Sequence, residues 1–218
     1  MSLTENYQNI KLKIPDHIEL VAVSKTHPAE MIAELYEIGQ RVFGENKVQE
    51  LTEKYEKLPK DIHWHLIGHL QSNKVKYIAP FVNTIQSVDS EKILDEINKQ
   101  AEKNDRKINV LLQVKIAQED SKFGLEISEA EDLIRKKMAG EFANVNIKGL
   151  MGMATFTENQ EQIAGEFNIL KSLYDKINNY FPLEKLSMGM SDDFLLAIKS
   201  GSNSVRVGSA IFGARDYR

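Results

Sequence analysis

Short runs of β-branched and aromatic residues alternate along the chain with longer stretches in which apolar residues recur every three or four positions. Periods of ~2 and ~3.6 residues are those of strands and helices. Eight strands are predicted: Ile18–Lys25, Arg41–Glu45, Ile62–Gly68, Thr84–Asp89, Ile108–Ile116, Val145–Ala154, Lys185–Met190 and Ser204–Gly208. Helical faces fall between them, carried by Met31, Ile32, Leu35 and Tyr36, then by Val48, Leu51, Tyr55 and Leu58, then by Ile93, Leu94, Ile97 and Ala101. The longest is marked by Ile163, Phe167, Leu170, Tyr174, Ile177 and Phe181, which share one stripe. Pro28 is expected to open the first crossover helix, where a missing N–H costs nothing, and Ser90 and Ser128 to cap later helices.

Strict alternation of strand and helix implies a parallel sheet covered by helices, and eight such units match a closed (β/α)8 barrel of the TIM type. The expected organisation is one barrel domain over residues 1–218, preceded by a short amphipathic or irregular cover at about residues 1–17. A doubly wound open sheet is the competing α/β architecture. Its usual glycine-rich dinucleotide signature is missing after the first strand, which continues instead as Ser24-Lys25-Thr26-His27-Pro28.

Charge and composition narrow the function classes. The 28 Lys and Arg against 32 Asp and Glu give a net charge of −4 with no basic block, which argues against nucleic-acid and membrane-surface roles. The longest apolar run, Phe194 to Ile198, is far short of the ~20 residues of a membrane span. The N-terminus lacks the apolar core of a signal peptide, and zero cysteines exclude disulfides and thiol chemistry, so a soluble cytoplasmic protein is expected.

In such a barrel the site lies where the strands end. Alternation puts Val21, Val23 and Lys25 on one face of the first strand. If that face points inward, a lysine stands at the barrel mouth, where burial lowers an amine's pKa toward the range needed for imine chemistry. A solvated strand-end lysine is the plain alternative. At the other end of the chain, Ser187-Met188-Gly189-Met190-Ser191 leads into a helical stretch from Asp192 to Ser200, and Val205-Arg206-Val207-Gly208-Ser209 into a short segment over Ala210–Ala214. Barrels commonly bind phosphate at these two loops, through N–H groups that open helices, with Gly208 leaving the backbone unobstructed and Ser191 and Ser209 adding hydroxyls. An ordinary N-cap and an ordinary turn are the alternatives. The phosphate reading requires Asp192 and Asp193 to face away. Arg206 shares a strand face with Gly208 and so reaches the same mouth, unless it is a structural salt-bridge partner. Amine, anion cradle and arginine together suit a phosphorylated aldehyde, of which pyridoxal 5′-phosphate (PLP) is the obvious case.

Six runs then carry a family resemblance: VAVSKT at Val21–Thr26, FGENKVQE at Phe43–Glu50, WHLIGHLQSNK at Trp64–Lys74, GLMGMA at Gly149–Ala154, SMGMSD at Ser187–Asp192 and VRVGSAIFG at Val205–Gly213. In this order they resemble the pyridoxal phosphate homeostasis proteins (the YggS/PROSC family), which are similar to the N-terminal barrel of alanine racemase, a fold-type III PLP-binding arrangement. The resemblance implies that Lys25 holds PLP as an aldimine, that Ser191, Gly208 and Ser209 bind its phosphate, and that Arg206 faces the pyridine nitrogen. It sets Asn46 and Met190 against the cofactor and brings His65 and Met151 nearby, with Lys122 where racemases carry an arginine. His69 departs from the proline that many relatives have there.

An arginine opposite the pyridine nitrogen offers only donors, so the ring stays unprotonated and is a weak electron sink. Racemases with this arrangement add a tyrosine base from a C-terminal β-domain, and that domain is expected to be missing here. The expectation is therefore a monomeric carrier that buffers PLP or delivers it to apo-enzymes, without strong amino-acid catalysis. Three rivals are a PLP-dependent amino-acid racemase, a metal-dependent hydrolase built on His63 and His65, and a Schiff-base aldolase using Lys115. Further metal ligands at strand ends are missing, and no metal is expected.

Overall fold

A computed structural model describes residues 2–118 and 123–213. Eight parallel strands close into a barrel in chain order. They are β1 (Glu19–Val23), β2 (Val42–Glu45), β3 (His63–Leu66), β4 (Thr84–Val88), β5 (Ile108–Gln113), β6 (Val145–Met151), β7 (Lys185–Ser187) and β8 (Ser204–Val207). Each lies inside its predicted run, and most stop short of the predicted C-terminal end. Some of the residues beyond the ladders, among them Lys25, Gly68, Met190 and Gly208, line the barrel mouth instead.

Closure is secured by pairing of β1 with β8, in which Val21 lies level with Arg206. Partners at one level point to one face, so Val21, Val23, Arg206 and Ser187 face the barrel axis. Leu20, Ala22, Phe43 and Trp64 face the surrounding helices and are buried there. Phe43 and Trp64 meet with ring centroids 6.0 Å apart.

The helices follow the predicted stripes. α2 (Ala29–Glu37) starts just after Pro28, α3 (Val48–Lys57) buries Leu51, the short α4 (Val75–Ile78) buries Val75 and Ile78, and α5 (Glu91–Lys103) is capped by the Ser90 hydroxyl. The cap expected at Ser128 is instead two residues earlier. Glu126 caps α6 (Ile127–Met138), and its own N–H donates to the Glu129 carboxylate at 2.8 Å, leaving Ser128 inside the first turn. Asn159 caps α7 (Gln160–Asn178), whose Ile163, Phe167, Leu170 and Ile177 are buried against the sheet. Truncating a fully buried ring such as Phe167 to alanine costs about 3–5 kcal/mol.

The predicted N-terminal cover is a helix, α1 (Leu3–Lys11), opened by a Ser2–Glu5 capping box. It lies against the last short helix, α9 (Ser209–Phe212), through Asn6, which donates to the Ile211 carbonyl at 3.2 Å. No described helix is long and apolar enough to cross a membrane.

Candidate functional site

The strand ends surround a cavity of about 440 Å³. Lys25, Asn46, Met190, Ser191, Arg206, Gly208 and Ser209, the seven residues singled out from the sequence, all line it. Lys25 is half-buried and continues the inward alternation of Val21 and Val23. The next residue, Thr26, has φ +68°. A β-branched residue there is costly, on the order of 1–3 kcal/mol. Asn46 follows β2 and meets the end of β3 at Gly68, where a Cβ would overlap the Asn46 backbone. Glycine at 68 is what lets these two loops touch.

Beyond the ends of β7 and β8, the Ser191 hydroxyl accepts from the N–H groups of Gly208 at 3.2 Å and Ala210 at 3.5 Å. Two backbone donors therefore converge on Ser191 at the start of α9. Gly208 has a further reason to be glycine, since a Cβ would press on the Val23 carbonyl at 3.1 Å. The close approach of β8 to β1 thus favours a small residue here independently of any ligand.

The helix expected over Asp192–Ser200 is shorter, α8 (Phe194–Lys199). Asp193 bends back so that its carboxylate accepts from the Met190 N–H at 2.5 Å. Asp192 is exposed and lies on the cavity wall rather than facing away. The requirement placed on both aspartates is thus met by one of them.

Arg206 is buried in the barrel axis. Its Nη1 donates to Ser187 Oγ at 2.6 Å and its Nη2 to the Gly152 carbonyl at 2.9 Å. Ser187 Oγ donates onward to Gln86 Oε1 at 2.7 Å, and Gln86 Nε2 reaches His65 Nδ1 at 2.9 Å. Four strands are linked by this one interior chain. Burial lowers the guanidinium to about 10, with the Asp193 charge opposing, so it stays cationic at neutral pH. Burial also drives His65 down to about 4, leaving a neutral ring whose Nδ1 accepts.

His65 and Met151, expected near the site, are buried in the barrel and do not line the cavity. Met153, two residues on, lines it instead. Lys122 lies outside the described residues. Lys115, the rival imine lysine, is not on the cavity wall. Among the described residues no group of three or more histidine or acidic side chains is placed to hold a metal ion. Sequence reasoning missed the aromatic rim, Phe123 and Phe156, both exposed at the mouth, with Phe123 stacked on His69 at 4.8 Å. Two phenylalanines in otherwise polar loops were the available signal.

A closed parallel barrel with its reactive groups gathered at this mouth defines the class to which alanine racemase barrels belong. Residues 1–216 match the family model described as alanine racemase, N-terminal domain. Within that class the chain belongs to the pyridoxal phosphate homeostasis protein family. It is 42% identical over 202 residues to the family member of Aquifex aeolicus (strain VF5), covering 91% of this chain and 88% of that one. It is 39% identical over 214 residues to that of Escherichia coli (strain K12), covering 93% and 88%. The structure of PipY from Synechococcus elongatus PCC7942 with PLP bound is 32% identical and superposes with a TM-score of 0.88, covering 97% of this chain and all of that one. An alanine racemase from Bartonella henselae, at 19% identity and a TM-score of 0.75 over 98% of this chain and 58% of that one, shares the fold.

Proposed function

We propose that this chain is a cytoplasmic PLP carrier that binds the cofactor at the barrel mouth, holds it through Lys25, and buffers it or hands it to apo-enzymes. One observation carries this reading: an amine, a cradle of N–H and hydroxyl groups and a buried guanidinium wall a single cavity. The donor set fits the group. Ser191, Gly208 and Ser209 would hold the phosphate with neutral donors at a helix start. Asn46 and Met190 would flank the ring, and Arg206 would face its nitrogen.

Lys25 would bond through Nζ to the aldehyde carbon, with the aldehyde oxygen leaving as water; this requires its amine unprotonated. PLP, when bound, supplies an imine able to withdraw electrons from an attached amino acid. Arg206 works against that use. Pinned by Ser187 and Gly152 and able only to donate, it disfavours a proton on any nitrogen it faces. Each 1.36 kcal/mol of transition-state stabilisation lost costs about tenfold in rate. The PLP bound in the PipY structure and the names of the curated relatives support the ligand.

The test is a visible spectrum of purified protein incubated with PLP, before and after borohydride reduction, followed by peptide mapping. The expected result is a yellow protein whose reduced label maps to Lys25. A colourless protein, or a label on another amine, overturns the attachment. Delivery is tested by mixing the loaded protein with an apo PLP enzyme, and activation no faster than with unbound PLP would refute it.

A further inference from the structure

Behind the loop that carries Lys25 lies a buried ionic cluster that the proposed function does not use. Lys54, on α3, is buried, and its Nζ donates to the Ser24 carbonyl at 2.8 Å, Glu45 Oε1 at 2.6 Å and Glu50 Oε1 at 2.7 Å. All three ammonium protons are therefore engaged. Ser24 Oγ donates to the same Glu45 oxygen at 2.6 Å, and the Thr26 N–H donates to the same Glu50 oxygen at 2.6 Å. The residues on either side of Lys25 are thus tied to one ammonium, Ser24 directly and Thr26 through Glu50. None of Lys54, Glu45 or Glu50 lines the cavity.

What the cluster holds is a strained turn. The His27 N–H donates to the Ser24 carbonyl at 3.1 Å, closing four residues with Lys25 second and Thr26 third. A third residue with positive φ is what a type II turn demands, and glycine or asparagine normally supplies it. Thr26 takes φ +68° instead. Among the described residues, three other than glycine have positive φ, and Thr26 is the one beside the cavity. A buried ion cluster is a poor way to gain stability, because hydrophobic replacements commonly do as well or better. Its location points to placement rather than stability.

We propose that Lys54, with Glu45 and Glu50, is a positioning device for Lys25: it holds the Ser24–His27 turn in its strained form and so aims the Lys25 amine into the cavity. The inference rests on Lys25 being the residue that bonds to the PLP aldehyde. It predicts a defect confined to aldehyde-bearing ligands.

The test titrates PLP and pyridoxine 5′-phosphate, which has a hydroxymethyl group in place of the aldehyde, against the full chain. In Lys54→Met with Glu45→Gln, which leaves no buried charge unpaired, PLP affinity is expected to fall about tenfold and that of pyridoxine 5′-phosphate to stay within about twofold. Adding Thr26→Gly, which takes positive φ without strain, is expected to recover most of the loss. Glu50→Gln, on a half-buried residue that leaves the Lys54–Glu45 pair intact, guards against a folding failure and is expected to give a smaller loss with the same selectivity. Equal loss of both ligands, no loss of PLP, or no recovery with Thr26→Gly overturns the positioning role. If wild type itself binds both ligands equally and borohydride fixes nothing at Lys25, the attachment fails and this inference with it. That result is distinct from variants that keep a wild-type preference for PLP.

Discussion

The Arg206 guanidinium rests on the Ser187 hydroxyl at 2.6 Å, inside the barrel and shielded from water. Ser187 has no alternative acceptor to offer once its oxygen is gone, and Gln86 Oε1 loses the hydroxyl donor at the same time. Ser187→Ala is therefore expected to destabilise the protein by about 1–3 kcal/mol, the cost of leaving buried polar groups unsatisfied. Urea unfolding checks this, with a reduced midpoint and an unchanged slope as the expected outcome. A variant as stable as wild type would show that Arg206 finds other partners.

Ser191→Ala removes the hydroxyl that accepts from Gly208 and Ala210. If those N–H groups and that hydroxyl hold a phosphate, PLP should bind about tenfold more weakly and pyridoxal, which lacks the phosphate, within about twofold of wild type. Titration followed by absorbance separates the two ligands. Serine 191 is a cleaner probe than Gly208, because any side chain at 208 also strains the β1–β8 contact.

How far the sequence disclosed the molecule depended on whether a side chain's direction could be read from its neighbours. Lys25 and Arg206 were legible because strand alternation ties each to inward neighbours, and all eight strands were legible by period. Asn46 and Met190 carry no such local signal and came only through family resemblance. The interior chain through Gln86 and His65 was invisible, since either face of β3 and β4 could have been the inner one. Nothing in the sequence marks Lys54, Glu45 and Glu50 as a cluster; only tertiary packing brings them together, with Lys54 and Glu45 buried and Glu50 half-buried. Ser128 misled because a serine near a helix start is a good cap in isolation, while Glu126 and Glu129 form a reciprocal pair that starts two residues earlier.

Two buried groups should tilt the pH dependence of stability in opposite directions. Burial outweighs Lys54 and Ser24 and lifts the Glu45 carboxyl from 4.5 to about 7. Across that window the folded protein keeps a proton that the unfolded chain gives up, so Glu45 makes stability fall as pH rises. Burial takes His65 from 6.5 down to about 4. There the unfolded chain holds the extra proton, so His65 makes stability rise with pH until about 6.5. Each effect is on the order of 3 kcal/mol, at ~1.36 kcal/mol per pKa unit. Glu45→Gln is expected to leave a curve that climbs with pH more steeply than wild type between about 4.5 and 6.5, and His65→Gln one that declines there relative to wild type. Unfolding midpoints at several pH values measure both, and parallel curves for all three proteins would refute the assignment.

Gly68 and Gly149 should respond differently to the same substitution, and the difference separates fold from site. At Gly149, inside β6, a Cβ would overlap the Lys185 carbonyl oxygen, so β6 and β7 would have to part in the middle of the barrel wall. Breaking a central strand contact disturbs the whole closed sheet, and Gly149→Ala is expected to yield insoluble or unfolded protein. At Gly68 the overlap is with the Asn46 backbone, beyond the ends of β2 and β3. Those loops can separate while every ladder hydrogen bond stays in place, moving Asn46 from its place on the cavity wall, where it follows the strand paired with the one that leads to Lys25. Gly68→Ala is therefore expected to give a folded protein, with a helical circular dichroism signal like that of wild type, that binds PLP at least about tenfold more weakly. Wild-type PLP affinity in a folded Gly68→Ala variant would show that Asn46 can shift without cost and would remove it from the site.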